Sequence, residues 1–199
     1  MMQRHGNLQG QRKVKAADPP TDPFQQAMAS RDGNVLAIVK AALVAGSARL
    51  AFQPIVAGPG GKRIAFYEGL IRVLDDAGRI IPAAHFVPQI EDKDLGREID
   101  CVTLRLGLDM LRANPNLRLS LNVSARSIGD YAWRRVMEEG LTRAPRIGER
   151  LILEISETSA MLLPELVIRF MAEMQPKRLS FALDGFGGGM TSFRYLKDF

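Results

Sequence analysis

LILEISETSAMLLPELVIRFMAEMQPKRLSFALD, residues Leu151 to Asp184, contains two short strands around one helix. Leu151-Ile-Leu-Glu-Ile155 and Leu179-Ser-Phe-Ala-Leu183 are apolar runs, each broken by a single polar residue. Between them, Pro164 to Met174 has helical spacing, with Pro164 suited to a first helical turn. A strand, a helix and a strand of these lengths predict parallel strands joined by a right-handed crossover. Runs so continuously apolar predict strands covered on both faces.

The same alternation extends towards the start of the chain. Leu117-Arg-Leu-Ser-Leu-Asn-Val123 reads as a strand, followed by a helix over Tyr131 to Arg143. Leu50 to Val56 and Ile64 to Val73 read as strands around a glycine-rich hairpin at Gly58 to Gly61. Pro82 to Leu95 and Arg97 to Asn114 read as helices. The second offers Ile99, Leu104, Leu106, Leu108 and Leu111 to an inner face. Asn34 to Gly46 predicts a further helix, with Asn34 as N-cap and Gly46 as stop, and another is expected from about Thr191. The class is α/β. Residues 1–33 are polar, with Pro19, Pro20 and Pro23, and read as a disordered basic tail or linker, leaving 34–199 as one domain.

Composition narrows the function classes. The chain has 199 residues, a formal charge of +5 and a hydrophobic fraction of 46%, which suits one globular domain with a sizeable core. No apolar run approaches the ~20 residues of a membrane helix, and the basic start has no apolar segment typical of a signal peptide. A single cysteine, Cys101, excludes an internal disulfide and fits a cytoplasmic setting. His5 and His85 are far apart and form no zinc pattern. Arg4, Arg12, Lys13 and Lys15 lack interleaved aromatics, so no nucleic-acid partner is expected.

The informative residues are the polar ones inside apolar strands: Glu68, Asn122, Glu154 and Asp184, on four successive strands. Buried carboxylates are costly unless something pairs with them. In parallel barrels the C-terminal strand ends form the active face. Carboxylates and an amide oxygen gathered there suit a hard cation, Mg²⁺ or Mn²⁺. The alternative is that these acids pair with arginines and only hold the fold. Arg72 lies four residues after Glu68, on the same strand face, and either grips a phosphate or pairs with Glu68 itself. Ser124 and Ser127 suit helix capping. Gly185, Gly187, Gly188 and Gly189 make either a tight turn or a phosphate-binding loop.

These residues fall in an ordered set of motifs that resembles the EAL family of cyclic di-GMP phosphodiesterases. Phe52-Gln-Pro-Ile-Val56 is similar to that family's opening strand, and Tyr67-Glu-Gly-Leu-Ile-Arg72 to its Tyr-Glu-Ala-Leu-Leu-Arg. His85-Phe-Val-Pro-Gln-Ile-Glu91 resembles Phe-Ile-Pro-x-Ala-Glu. Leu119-Ser-Leu-Asn-Val-Ser-Ala-Arg126 resembles Leu-Ser-Val-Asn-Leu-Ser, and Leu153-Glu-Ile-Ser-Glu-Thr158 resembles Leu-Glu-Ile-Thr-Glu. Leu183-Asp-Gly-Phe-Gly187 stands where the family has Leu-Asp-Asp-Phe-Gly.

The resemblance implies a (β/α)8 TIM-barrel-like fold and metal-dependent cleavage of cyclic di-GMP to pGpG. By motif, Glu68, Asn122, Glu154 and Asp184 would ligate metal, while Gln53, Leu70 and Arg72 would contact the nucleotide. Two departures qualify that expectation. Gly185 replaces the second aspartate, and the family's later strands, with a catalytic lysine and a further glutamate and glutamine, have no counterpart in the 199 residues. The sequence therefore predicts a C-terminally truncated barrel of about five to six strands with weak or absent turnover. Three functions remain open: a phosphodiesterase, a module that binds cyclic di-GMP or a protein without hydrolysis, and a remnant. A homodimer or a partner protein is expected to cover an open barrel.

Overall fold

The computed structural model describes residues 23–187 apart from 59, 61, 62 and 92, with side chains from residue 33 onward. A long helix, α1 (Pro23–Val44), leads into an antiparallel pair, β1 (Ala48–Ala57) and β2 (Arg63–Leu74). A two-residue strand, β3 (Ile80–Ile81), pairs with the end of β2. A short 3-10 turn (Ala83–His85) and α2 (Val87–Ile90) precede α3 (Asp94–Ala113). Strand β4 (Leu119–Asn122) is followed by α4 (Ala125–Ile128) and α5 (Tyr131–Arg143). Next come β5 (Leu151–Ser156), α6 (Glu157–Leu162), α7 (Pro164–Met174) and β6 (Ser180–Asp184).

Among the described residues the sheet has six strands in the order β1-β2-β4-β5-β6, with β3 beside β2. The β2–β4, β4–β5 and β5–β6 pairs are parallel, as the alternation predicts. The described sheet does not close on itself, which leaves β6 with an open edge.

Register sorts the side chains into two faces, because successive residues of a strand point to opposite sides. Leu119, Leu121, Leu151, Leu153 and Ile155 point to the helices and are buried. Trp133 of α5 stacks edge-on against Phe170 of α7, centroids 5.8 Å apart, and Phe170 meets Phe181 of β6 at the same distance. The other face carries Glu68, Asn122, Glu154 and Asp184, none of them fully buried. Cover on both faces was the expectation: the helix face is closed, and on the opposite face Ser120 and Ile152 are buried while Glu68, Asn122, Glu154 and Asp184 are not.

Several boundaries differ from the sequence expectation. The first helix starts at Pro23 rather than being capped by Asn34. Proline is tolerated in a first turn, and Gly33-Asn34 sits within the helix at a tolerable cost. The tail expected over 1–33 otherwise falls on residues 1–22, outside the described residues, as does the helix expected from Thr191. Pro82 to Leu95 is divided into two short turns, and α3 begins at Asp94. Of the predicted α3 face, Ile99, Leu104, Leu108 and Leu111 are buried and Leu106 is half-buried. The helices over Tyr131–Arg143 and Pro164–Met174 lie where predicted. Asp130 caps the first by accepting from Trp133 N–H at 3.0 Å.

Leu121 explains one departure from the family motif. A Cβ on Gly69 would lie 2.8 Å from Leu121 Cδ2, and one on Gly107 of α3 would lie 2.4 Å from Leu121 Cδ1. Leucine at 121 thus fills the space that two glycines leave. The motif pairs a smaller valine at 121 with alanine at 69. Gly69→Ala alone should destabilise by about 1–2 kcal/mol through overpacking, and Leu121→Val alone by about 1 kcal/mol through a cavity. The double variant should recover most of both losses. Denaturant melts of the four proteins check this, and simple additivity would contradict the packing account.

Candidate functional site

The site is built from alternate residues of four neighbouring strands. Glu68 of β2 is in register with Ser120 of β4, Asn122 with Glu154 of β5, and Ser156 with Asp184 of β6. In parallel strands such partners share a face, so the acids and the amide lie on one face, with Asn122, Glu154 and Asp184 towards the C-terminal ends of β4, β5 and β6 and Glu68 midway along β2. Gln53 of β1 lies directly opposite Glu68 across the antiparallel pair.

Asn122 Nδ2 donates to Glu68 Oε1 at 2.9 Å. Burial pushes the Glu154 carboxyl above its ordinary value. The nearby Ser120 hydroxyl pulls it partly back without reaching full hydrogen-bond geometry, and the Glu68 and Asp184 charges push it up again. Asp184 is exposed and accepts from the N–H of Gly185 at 2.8 Å. Among the described residues no arginine or lysine pairs with Glu68, Glu154 or Asp184. The alternative in which arginines neutralise the row is therefore not what the fold does. Arg72 is not bridged to Glu68; its Nη1 donates to Ile71 O at 3.0 Å.

A cleft of about 360 Å³ lies between these strands and α2 and α3, with Arg72, Ile90, Ile99, Asp100, Asn122 and Glu154 among the residues of its wall. Glu68 joins the cleft through Asn122, Gln53 stands beside Glu68, and Asp184 sits apart at the β6 end. Among the described residues no three acidic, histidine or cysteine side chains converge closely enough to hold an ion as they stand. Glu68, Asn122, Glu154 and Asp184 nonetheless fit a hard divalent cation in donor chemistry. All offer oxygen from adjacent strands of one face, and among the described residues no cation neutralises the three carboxylates. Binding requires the Asn122 amide to turn its oxygen inward and the carboxylates to draw together.

Two residues given no role in the sequence analysis hold the surrounding loops. Glu157, in the first turn of α6, is buried; its Oε2 accepts from Gly187 N–H at 2.9 Å, and its Oε1 has no partner among the described residues. It ties the glycine turn after β6 to β5. Asp100 of α3 accepts from Ser124 N–H at 3.0 Å, which fixes the turn that follows Asn122. Burial pushes the Asp100 carboxyl up, against hydrogen bonds from Ser127 and Ser124. Ser124 also caps α4 and bonds Ser127 Oγ at 3.0 Å, as their spacing suggested. The only signal for Asp100 or Glu157 in the sequence was an acid beside residues of a buried helical face.

The EAL domain family model matches residues 37–199. The chain belongs to the EAL family. Its relatives include "Cyclic di-GMP phosphodiesterase PdeB" of Shewanella oneidensis, 29% identical over 157 residues, which are 75% of this chain and 18% of that protein. "Cyclic di-GMP phosphodiesterase PdeA" of Borreliella burgdorferi is 27% identical over 134 residues, covering 65% of this chain and 20% of the relative. This chain thus spans about a fifth of the curated relatives it matches. The FimX EAL domain of Pseudomonas aeruginosa bound to c-di-GMP superposes with a TM-score of 0.73 at 26% identity, over 83% of this chain and 68% of that one. Relative to that barrel the described sheet is incomplete. No helix among the described residues is long and apolar enough to cross a membrane.

The raised Glu154 carboxyl gives a signed pH effect. Without cation, Glu154 favours the fold only while protonated. Its contribution is lost as pH rises from the ordinary carboxylate value through the raised one. Above that window Glu154→Gln should melt about 2–4 °C higher than the parent in EDTA. Excess Mg²⁺ or Mn²⁺ should stabilise the parent and not the variant. A variant that melts lower than the parent in EDTA would contradict the repulsion described here.

Gly185 has φ +67°, and a Cβ built on it meets nothing within 4 Å. Aspartate tolerates this left-handed backbone better than most residues, so the motif's second acid fits sterically. Gly185→Asp should lower stability slightly in EDTA and tighten Mn²⁺ binding about tenfold. Calorimetric titration checks it, and unchanged Mn²⁺ affinity would show that the turn does not face the site.

Proposed function

We propose that this domain binds cyclic di-GMP on the polar face of the sheet, with Mg²⁺ or Mn²⁺ held by Glu68, Asn122, Glu154 and Asp184. The observation that carries the reading is that Asn122 and Glu154, two members of the unneutralised oxygen row, share one cleft with Arg72. The relatives named as cyclic di-GMP phosphodiesterases and the c-di-GMP-bound FimX domain support the choice of ligand.

Each residue has a definite task in this reading. Arg72 donates to a phosphate, Leu70 gives the nucleotide an apolar contact, and Gln53 hydrogen-bonds beside Glu68. A bound divalent cation supplies charge stabilisation at the phosphodiester and a more acidic water. Burial, with the Glu68 and Asp184 charges, holds the Glu154 carboxyl above its ordinary value. Asp100 and Glu157 keep the turns after β4 and β6 in place.

Hydrolysis to pGpG by this chain is expected to be weak or absent, because Gly185 offers no oxygen where the motif has its second acid. A binding module without turnover is the second reading, favoured by the same position. Incubation with cyclic di-GMP and Mn²⁺, followed by chromatography for pGpG, separates the two. Tight binding with no pGpG supports the module, pGpG that disappears in Glu154→Gln supports the enzyme, and no binding overturns both. The reading includes a second copy or partner across the open face, which sedimentation would detect as a dimer or complex.

A further inference from the structure

Arg49 of β1 and Arg72 of β2 are direct partners across the antiparallel pair. Directly opposed residues of such a pair share a face, and Arg72 shares its face with Leu70 and Glu68. The two arginine side chains therefore leave the same face from paired positions, where β2 approaches its C-terminal end. Neither has a carboxylate partner among the described residues. Arg49 Nη1 donates to Gly46 O at 3.0 Å and to Ala48 O at 2.6 Å, and Arg72 Nη1 donates to Ile71 O at 3.0 Å. Like charges directly opposed across a sheet are destabilising unless an anion lies between them. These backbone bonds engage one nitrogen of each guanidinium and leave Nε and Nη2 uncommitted, the geometry that suits bidentate contact with phosphate oxygens.

We propose that Arg49 is a second phosphate-binding residue and that Arg49 and Arg72 together cradle one phosphodiester of a two-phosphate ligand. The inference rests on the cyclic di-GMP reading above and deepens it: one phosphate lies over the acid row and its cation, the other over the arginine pair. At about 3.3 Å per residue, Glu68 and Arg72 are about 13 Å apart along β2. Long side chains and a two-phosphate ligand bridge that gap. Arg49 is exposed and lies outside the cleft wall, paired with Arg72, and in this proposal it reaches the ligand from that side.

The test is calorimetric binding of two probes, cyclic di-GMP and pyrophosphate, to the full 199-residue chain in EDTA. The parent is compared with Arg49→Gln, Arg49→Lys and Arg72→Gln. Glutamine at 49 keeps a donor for the Gly46 and Ala48 carbonyls and removes the charge. The expected result is a loss of about tenfold for both probes in Arg49→Gln, a smaller loss in Arg49→Lys, and weaker dependence on salt in each. Parent-like affinity and salt dependence in both Arg49 variants would overturn the proposal. Should Arg49→Gln fail to melt cooperatively, Arg49→Lys decides: a loss of about threefold supports the cradle, and no loss overturns it. Failure of the parent to bind cyclic di-GMP, with pyrophosphate binding still weakened in Arg49→Gln, would sink the ligand reading and leave the cradle standing. A parent that binds neither probe overturns both.

Discussion

The parity of side chains along β2, β4, β5 and β6 governs the rest of the molecule. One set, including Leu119, Leu121, Leu151, Leu153 and Ile155, is shut away beneath α3, α5 and α7. Burying that set stabilises the sheet by area removed from water. The opposite set is then free to carry groups that a core would reject. A one-residue slip in any of these strands would send a carboxylate into the helix layer and a leucine into the cleft. Leu121 in the hollow left by Gly69 and Gly107 helps hold the β2–β4–α3 register.

On the polar face, charge is separated rather than paired. Negative groups gather around Glu154, and positive groups gather at Arg49 and Arg72. Elsewhere many charges find local partners, as Asp75 does with Arg79 and Glu149 with Arg178. The contrast matters physically. Separated like charges cost stability in the free protein and favour a ligand with oxygen anions at one end and a cation site at the other. Asp100 and Glu157 hold the bounding turns through backbone N–H groups, so the row is fixed by hydrogen bonds rather than by counter-charges.

Much of the fold was legible because its signals are local. Pro164 marks the start of α7, and the apolar runs mark β4, β5 and β6. What was missed lacked such signals. Strand β3 has two residues and the helices α4 and α6 each have about one turn, too short for periodicity to show. Gly33-Asn34 resembles a helix start, yet α1 runs through it. In the site, Glu68, Asn122 and Glu154 stood out as polar residues in apolar strands. Glu157 did not, because an acid in a first helical turn is usually a solvated partner of the helix dipole. The Arg49–Arg72 pairing depends on the register of the β1–β2 hairpin, which no single stretch of sequence states.

In the proposed function the acid row and Arg72 serve one ligand in one place. Electron paramagnetic resonance of Mn²⁺ bound to the chain, with and without cyclic di-GMP, tests it most directly. Protein-bound Mn²⁺ is expected, with a signal that acquires a phosphorus hyperfine coupling when the nucleotide is added. Mn²⁺ that remains fully hydrated and free, or that binds without any phosphorus coupling in the presence of bound nucleotide, would contradict it.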